Sequence, residues 1–335
     1  MPRVVDADTT SRHLDYGRLI EALDRGFAQG CTVPMRHHHT IAKDRQPDAT
    51  LLLMPAWSND ADELKYLGVK LVTVFPGNAS KGLAGLTSTY VLYDGDTGQH
   101  LAMLDGNVIT ARRTVATSAL AARYLSREDS RKLLVLGSGR VASLIPEAYR
   151  AVRPISDVSV WDINPESAAR MVADLKNKGF SASLESDLEA GVRNADIVSA
   201  ATLATSPLIH GEWLSLGTHV DLIGGFTPKM READSEAVRR AAVYVDTPEA
   251  LHEAGDLSQP IASALVPASH VRGTLAALAR DEVKGRTNPQ QITLFKAVGS
   301  GLADLVAAKL VFCALVGSSP SDVSEGNRNH AKEAF

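Results

Sequence analysis

The chain has 335 residues, room for two domains with sizeable cores, and its 44% hydrophobic and 22% charged residues fit a soluble globular protein. A formal net charge of -4 provides no basic footprint and argues against a nucleic-acid partner. Two cysteines, Cys31 and Cys313, argue against a disulfide framework and suit a reducing cytoplasm, which is the expected location.

The first residues lack the long apolar core of a signal peptide. Tyr16 to Ala28 place Leu19, Ile20, Leu23 and Phe27 on one face of a helix that Gly30 ends. Thr32 to Ile41 reads as extended, and strands are expected at Thr50 to Trp57 and Leu67 to Phe75, the second interrupted by Lys70. Pro76-Gly-Asn78 signals a turn and Lys81 to Gly85 a loop. Leu86 to Tyr93 and His100 to Leu104 alternate as paired strands, so the first third predicts a helix followed by an antiparallel sheet. A long Ala-rich helix is expected from Thr110 to Tyr124, with Thr110 as N-cap and Arg112 and Arg113 in its first turn.

At Lys132 the pattern changes. The apolar run Leu133 to Leu136 leads into Gly137-Ser-Gly139-Arg-Val-Ala142 and then a helical pattern, the signature of a strand, a tight turn and a dinucleotide pyrophosphate site. Gly137 makes the turn, Gly139 admits the phosphates and Ala142 packs the helix on the sheet. Pro146 should bend that helix. A second strand, Asp157 to Trp161, ends at Asp162, which is either a plain N-cap or turn residue or a carboxylate that suits ribose hydroxyls and repels a 2′-phosphate; on the second reading NAD(H) is favoured over NADP(H). Arg140 weighs the other way.

Further helices are expected at Pro165 to Lys178 and Glu185 to Arg193. Strands are expected at Ala182 to Leu184, Asp196 to Ala201, His219 to Ile223 and Ala242 to Asp246. This alternation predicts a doubly wound parallel sheet. Gln291 to Val316 reads as helical, its part from Leu302 as an amphipathic core helix too short and too charged, at Asp304 and Lys309, to span a membrane. Ser318 to Phe335 reads as a loose tail.

Three cations stand out in the first domain. Arg36 follows Pro34 in an extended run, Lys70 lies in an apolar strand where a charge needs a partner or a ligand, and Arg113 opposes a helix dipole. Each either pairs with a nearby acid or joins the others in gripping a small carboxylate. In His37-His38-His39, alternation places His38 on the face of Arg36, either in a substrate pocket or as a solvated strand-edge histidine, while two histidines without a third ligand make no expected metal site.

These residues, taken with Pro34-Met-Arg36, Gly68-Val-Lys70, Gly85-Leu-Thr87, Ala111-Arg-Arg-Thr-Val-Ala116 with Ser118, and Ile292 to Gly299, resemble the ornithine cyclodeaminase/mu-crystallin family from about Arg18 to Val316. The resemblance implies an α/β chain of two domains. One is a Rossmann domain over 116–301. The other is an α+β substrate-binding and dimerisation domain with an antiparallel sheet, built from 1–115 and 302–335, in a homodimer. It also implies that Arg36, Lys70 and Arg113 hold the substrate carboxylate and serve catalysis, with His38, Phe226 and Val298 also at the substrate. The cofactor is expected on Gly137, Gly139, Arg140, Val141, Ala142 and Asp162, on Thr202, Ile223 and Gly224 at later strand ends, and on Thr87 and Arg113.

One position departs from the cyclodeaminase pattern. After Gly224-Gly225, where the resemblance implies an aspartate that works on an amine, this chain has Phe226, which can neither take a proton nor orient an amine. The Gly-Gly-Phe226-Thr-Pro run, with Gly139 to Ser143 and Arg36 to His39, resembles the ketimine-reducing branch of the family. The expected reaction is reduction of Δ1-pyrroline-2-carboxylate or its six-membered homologue at C2. The alternatives are a cyclodeaminase or amino-acid dehydrogenase on the same scaffold, or a cofactor-binding protein without turnover.

Overall fold

The structure, a computed structural model, describes residues 1–317 apart from 45, 61, 63 and 64; the expected tail from Ser318 lies outside the described residues. The chain divides into two compact units, Met1–Arg113 with Gly301–Phe335, and Thr114–Ser300.

Unit 1 opens with β1 (Arg3–Val5), α1 (Ala7–Arg12), α2 (Tyr16–Gln29), β2 (His37–Ile41), β3 (Ala49–Trp57), β4 (Tyr66–Val74), β5 (Leu86–Asp94) and β6 (His100–Asp105), and α3 (Gly106–Leu125) leads out of it. The strands form one sheet in the order β1-β6-β5-β4-β3-β2. It is antiparallel throughout except that β1 joins the edge parallel to β6, a pairing that nothing in the short N-terminal run announces. The apolar stripe of α2 (Tyr16, Leu19, Ile20, Leu23 and Phe27) is buried, as its spacing predicts.

The start of α3 differs from the expectation. The helix begins four residues before Thr110, because Asp105 accepts the Val108 amide at 2.8 Å and so caps it. Thr110 is therefore interior, and Arg112 and Arg113 lie about two turns into the helix rather than opposing the dipole at its first turn.

Unit 2 continues through β7 (Lys132–Leu136), α4 (Ile145–Arg150), β8 (Asp157–Trp161), α5 (Pro165–Asn177), β9 (Ser181–Leu184), α6 (Leu188–Asn194), β10 (Ile197–Ala200) and β11 (His219–Leu222). It ends with α7 (Ser235–Arg240), β12 (Ala242–Val245), α8 (Ala250–Glu253), α9 (Gly255–Ala262), β13 (Val271–Thr274), α10 (Leu275–Ala279) and β14 (Thr293–Lys296). Its eight strands run parallel in the order β13-β12-β14-β11-β10-β7-β8-β9. The chain winds outward from β7 through β9 and then returns to β10 beside β7. That reversal opens a crevice beyond the carboxyl ends of β7 and β10, where such sheets bind ligands.

Three expectations fail here. The helix after the glycine turn is not continuous: a 3₁₀ turn at Ala142–Leu144 precedes α4, and Pro146 sits in the first turn of α4, where its missing N–H costs nothing. The second short helix begins at Leu188, capped by Asp187, rather than at Glu185. Gln291 to Val316 is not one helix, because Thr293–Lys296 forms β14, fully buried between β11 and β12. A short apolar run reads alike as buried strand or helix, and only the tertiary partners decide.

The helix that remains, α11 (Gly301–Val316), returns to unit 1 and packs on α2, β3 and β4. It is not amphipathic. Leu302, Ala303, Leu305, Ala307, Ala308, Leu310 and Val311 are all buried, so it is apolar around its circumference and wrapped by its neighbours. Among the described residues no helix is long and apolar enough to cross a membrane.

Candidate active site

In unit 1 the site is built on β4. Lys70 pairs with Met54 on β3 and Tyr90 on β5, so all three share the covered face of the sheet. Lys70 is 2% exposed, and its Nζ lies 2.6 Å from Oδ2 of Asp304 on α11. The other oxygen of Asp304 accepts from Nε of Arg113 at 2.7 Å. One buried carboxylate thus holds two buried cations.

The electrostatics follow from that geometry. Burial lowers the Lys70 pKa to about 8; Asp304 opposes the shift, while the charges of Arg113 and Arg36 reinforce it. Burial alone would raise the Asp304 carboxyl, but Arg113 and Lys70 outweigh it and hold the group below its usual value. Arg36, half-buried just ahead of β2, is therefore close enough for its charge to count at Lys70. The ammonium is fixed by a hydrogen bond, yet held near the pH at which it can release a proton.

Among the other residues expected in this unit, His38 is exposed on β2 and its register places it on the Lys70 side of the sheet. Thr87 pairs with Thr73 on the opposite face, so the sheet does not bring it together with the three cations. Asp304 is a site residue that sequence reasoning misses. A signal for it exists: a lone acid in an otherwise apolar helix must find a buried partner.

In unit 2, Gly137 follows β7 with φ at +100°, and a Cβ there would lie 2.8 Å from the Ala201 carbonyl oxygen, so only glycine makes this turn. Gly139 faces open space, which is what the approach of a phosphate requires. A cleft of about 450 Å³ opens here, lined by Gly137, Gly139, Asp162, Ile163, Thr202 and Leu203 among others. Asp162 Oδ2 accepts from the Ser138 hydroxyl at 2.7 Å and Oδ1 from the Asn164 amide at 2.8 Å. The N-cap of α5 is Asn164, which leaves Asp162 facing the cleft rather than capping the helix.

The remaining expected residues lie around these strand ends. Arg140 lines a neighbouring cleft of about 550 Å³ with Ser143, Arg170 and Lys178. Val141 is half-buried and Ala142 fully buried behind the turn. Ile223 and Gly224 follow β11, the Ile223 amide bonding to the Ala200 carbonyl at 2.8 Å. Phe226 is 49% exposed on the loop beyond them. Val298, past β14, donates its amide to Asp246 at 3.0 Å. The cleft, glycine turn and acidic strand end fit the adenosine and pyrophosphate of a dinucleotide. Among the described residues no group of His, Cys, Asp and Glu could hold a metal ion.

The sheet order and the glycine turn define the class: a dinucleotide-binding α/β protein carrying a second, α+β unit. The chain belongs to the ornithine cyclodeaminase/mu-crystallin family, whose model matches residues 3–319. It is 39% identical over 312 residues to a Δ1-pyrroline-2-carboxylate reductase of Paracoccus denitrificans, covering 92% of this chain and 96% of that one. The structure of Thermococcus litoralis Δ1-pyrroline-2-carboxylate reductase with NADH and L-proline is similar at a TM-score of 0.87 and 32% identity, covering 94% and 98% of the two chains. An archaeal alanine dehydrogenase dimer with bound NAD is similar at a TM-score of 0.86 and 26% identity, over 94% and 96%.

Proposed function

We propose that this chain is an NAD(P)H-dependent reductase of cyclic ketimines, forming L-proline from Δ1-pyrroline-2-carboxylate and L-pipecolate from the six-membered homologue. The observation that carries the reading is Lys70, a buried amine 2.6 Å from the Asp304 carboxylate that also holds Arg113. The relatives that reduce the five-membered ketimine or hold NADH and L-proline support it.

The substrate carboxylate is taken by Arg36 and Arg113, since a guanidinium fork suits a carboxylate better than a point charge does. The Lys70 ammonium, aligned by Asp304, donates a proton to the imine nitrogen and so makes C2 electrophilic. When bound, the reduced nicotinamide supplies the hydride for C2. Phe226 offers an apolar surface and no base, which suits imine reduction and not the release of ammonia.

The cofactor we favour is NADH, because a 2′-phosphate would meet the Asp162 carboxylate. A homodimer is proposed on the outer face of the unit 1 sheet, where Val4, Met103, Leu71 and Trp57 lie on one side, opposite Lys70, and remain exposed. A second copy would cover that apolar face. The free cysteines suit a reducing cytoplasm, where we place the protein.

The deciding experiment follows NADH and NADPH oxidation with each ketimine. Oxidation with at least one is expected, faster with NADH; folded protein that oxidises neither cofactor sinks the proposal. Ammonia release from ornithine with NAD would move the chain to the cyclodeaminases.

A further inference from the structure

A second buried charge cluster lies in unit 2, and the chemistry above does not use it. Glu232, fully buried between β11 and α7, has its backbone locked on both sides. Its carbonyl accepts the Leu208 and Ile209 amides at 2.9 Å each, and its amide and that of Ala233 donate to Asp256 Oδ1 at 2.7 and 2.9 Å. The side chain is therefore aimed, and it points at the residues that follow β10 and β11, of which Thr202 lines the cleft. Oε1 accepts the Thr202 amide at 2.7 Å and the Thr202 hydroxyl at 2.9 Å. Oε2 accepts the Gly224 amide at 2.7 Å and the Gly225 amide at 3.4 Å.

This one carboxylate joins the ends of adjacent strands β10 and β11. The fit admits no slack: a Cβ at Gly224 would lie 2.0 Å from the Thr202 carbonyl oxygen and 2.4 Å from Glu232 Oε1. Thr202 in turn lines the cleft with Gly137, and the carbonyl of its neighbour Ala201 packs against the turn. Every partner of the side chain is a donor, an arrangement that suits a carboxylate and not an amide.

We propose that Glu232 is a positioning residue of the dinucleotide cleft: its ionised carboxylate fixes the Thr202 and Gly224 segments in the geometry that accepts the cofactor. The inference rests on the dinucleotide reading above but not on the choice of substrate. The charged groups acting on Glu232 are Lys296, at the end of β14, and Asp256, on α9; the Lys296 ammonium lies 3.2 Å from Asp256 Oδ2, with both side chains fully buried. Burial raises the Glu232 pKa to about 7, Lys296 opposing the rise and Asp256 adding to it. Two carboxylates and one ammonium thus sit together behind Thr202 and Gly224.

The test is NADH binding to the full chain, followed by nicotinamide fluorescence, with circular dichroism to establish folding. Glu232→Gln keeps the size but directs an NH2 at amide donors. Its Kd for NADH should rise about 10- to 100-fold, the loss expected of hydrogen bonds to a charged acceptor. In turnover the KM for NADH should rise with it, while kcat at saturating NADH falls far less. A purely structural role would lower the melting temperature and leave both constants in place. Folded Glu232→Gln that binds NADH as tightly as the native chain overturns the proposal. If that variant does not fold, Glu232→Asp decides: it keeps the charge but shortens its reach to Thr202 and Gly224, so its Kd for NADH should rise several-fold, and folded Glu232→Asp that binds NADH as tightly as the native chain overturns the proposal. A native chain that binds NADH but reduces no ketimine defeats the substrate reading alone; one that binds no dinucleotide defeats both.

Discussion

The two units each bury a cluster of three charged side chains, and the clusters are opposite in sign. In unit 1, Lys70 and Arg113 converge on Asp304; in unit 2, Glu232 and Asp256 share Lys296. Burial disfavours charge in both, yet the group that yields differs. The lysine amine drops to about 8 among cations, and the glutamate carboxyl rises to about 7 beside a second acid. The first cluster is poised to give up a proton and the second to accept one. The first therefore suits chemistry on a substrate, whereas the second holds backbone amides and tunes a binding surface.

Four substitutions probe this contrast. The largest effect is expected from Lys70→Met, which should lower kcat/KM for the ketimine by about 100- to 10,000-fold, the usual range for losing a general acid. If the donor is the protonated Lys70 amine, as proposed, kcat/KM should decline as the pH rises through about 8, and Lys70→Met should lack that limb. A native profile flat to well above that pH would assign the proton to another group.

Asp304→Asn comes next. It leaves Lys70 and Arg113 without their shared counter-charge, and denaturant unfolding should show a loss of about 3–5 kcal/mol. Because the Asp304 carboxyl is held below its usual value, its contribution is present at neutral pH and fades as the pH falls through the lowered pKa. Unchanged stability in the variant would mean that the two cations are satisfied without it.

Arg36→Ala should be milder. The KM for the ketimine should rise by an amount equivalent to about 1.5–3 kcal/mol, as expected for a charge-assisted contact, with kcat less affected. An unaltered KM would return Arg36 to a purely local role. Smallest of all, Asp162→Ser should shift the NADH to NADPH preference by a few-fold toward NADPH, read from kcat/KM with each. An unmoved ratio would take Asp162 away from the ribose.

Much of this is legible in residue order, and the exceptions share a cause. The glycine turn, the acidic strand end and the alternating strands of unit 2 are local patterns, so Gly137, Gly139 and Asp162 are assigned by their own neighbours in the chain. Lys70 and Arg113 stand out because a charge in an apolar context demands a partner. The identity of that partner is not legible: Asp304 lies nearly two hundred residues from Arg113 in sequence, and its own run looks like a helix marred by a charge. Thr293 to Lys296 escapes for the same reason, since β14 is a strand only by virtue of β11 and β12 on either side. Glu232 carries no local mark at all. The start of α3 is a different kind of miss, a local competition in which Asp105 displaces Thr110 as the cap.

The return of α11 to unit 1 also sets an order on synthesis. Unit 2 is one continuous stretch, complete once residue 300 has been made. Unit 1 is not: Asp304 belongs to it but is translated after the whole of unit 2. Lys70 and Arg113 have no Asp304 to pair with until the chain has been made past unit 2, and until that point neither can be buried in its final ion pair. Unit 2 is thus available for folding while Lys70 and Arg113 still lack their shared carboxylate, and the helix that follows unit 2 in the chain is the one that supplies it.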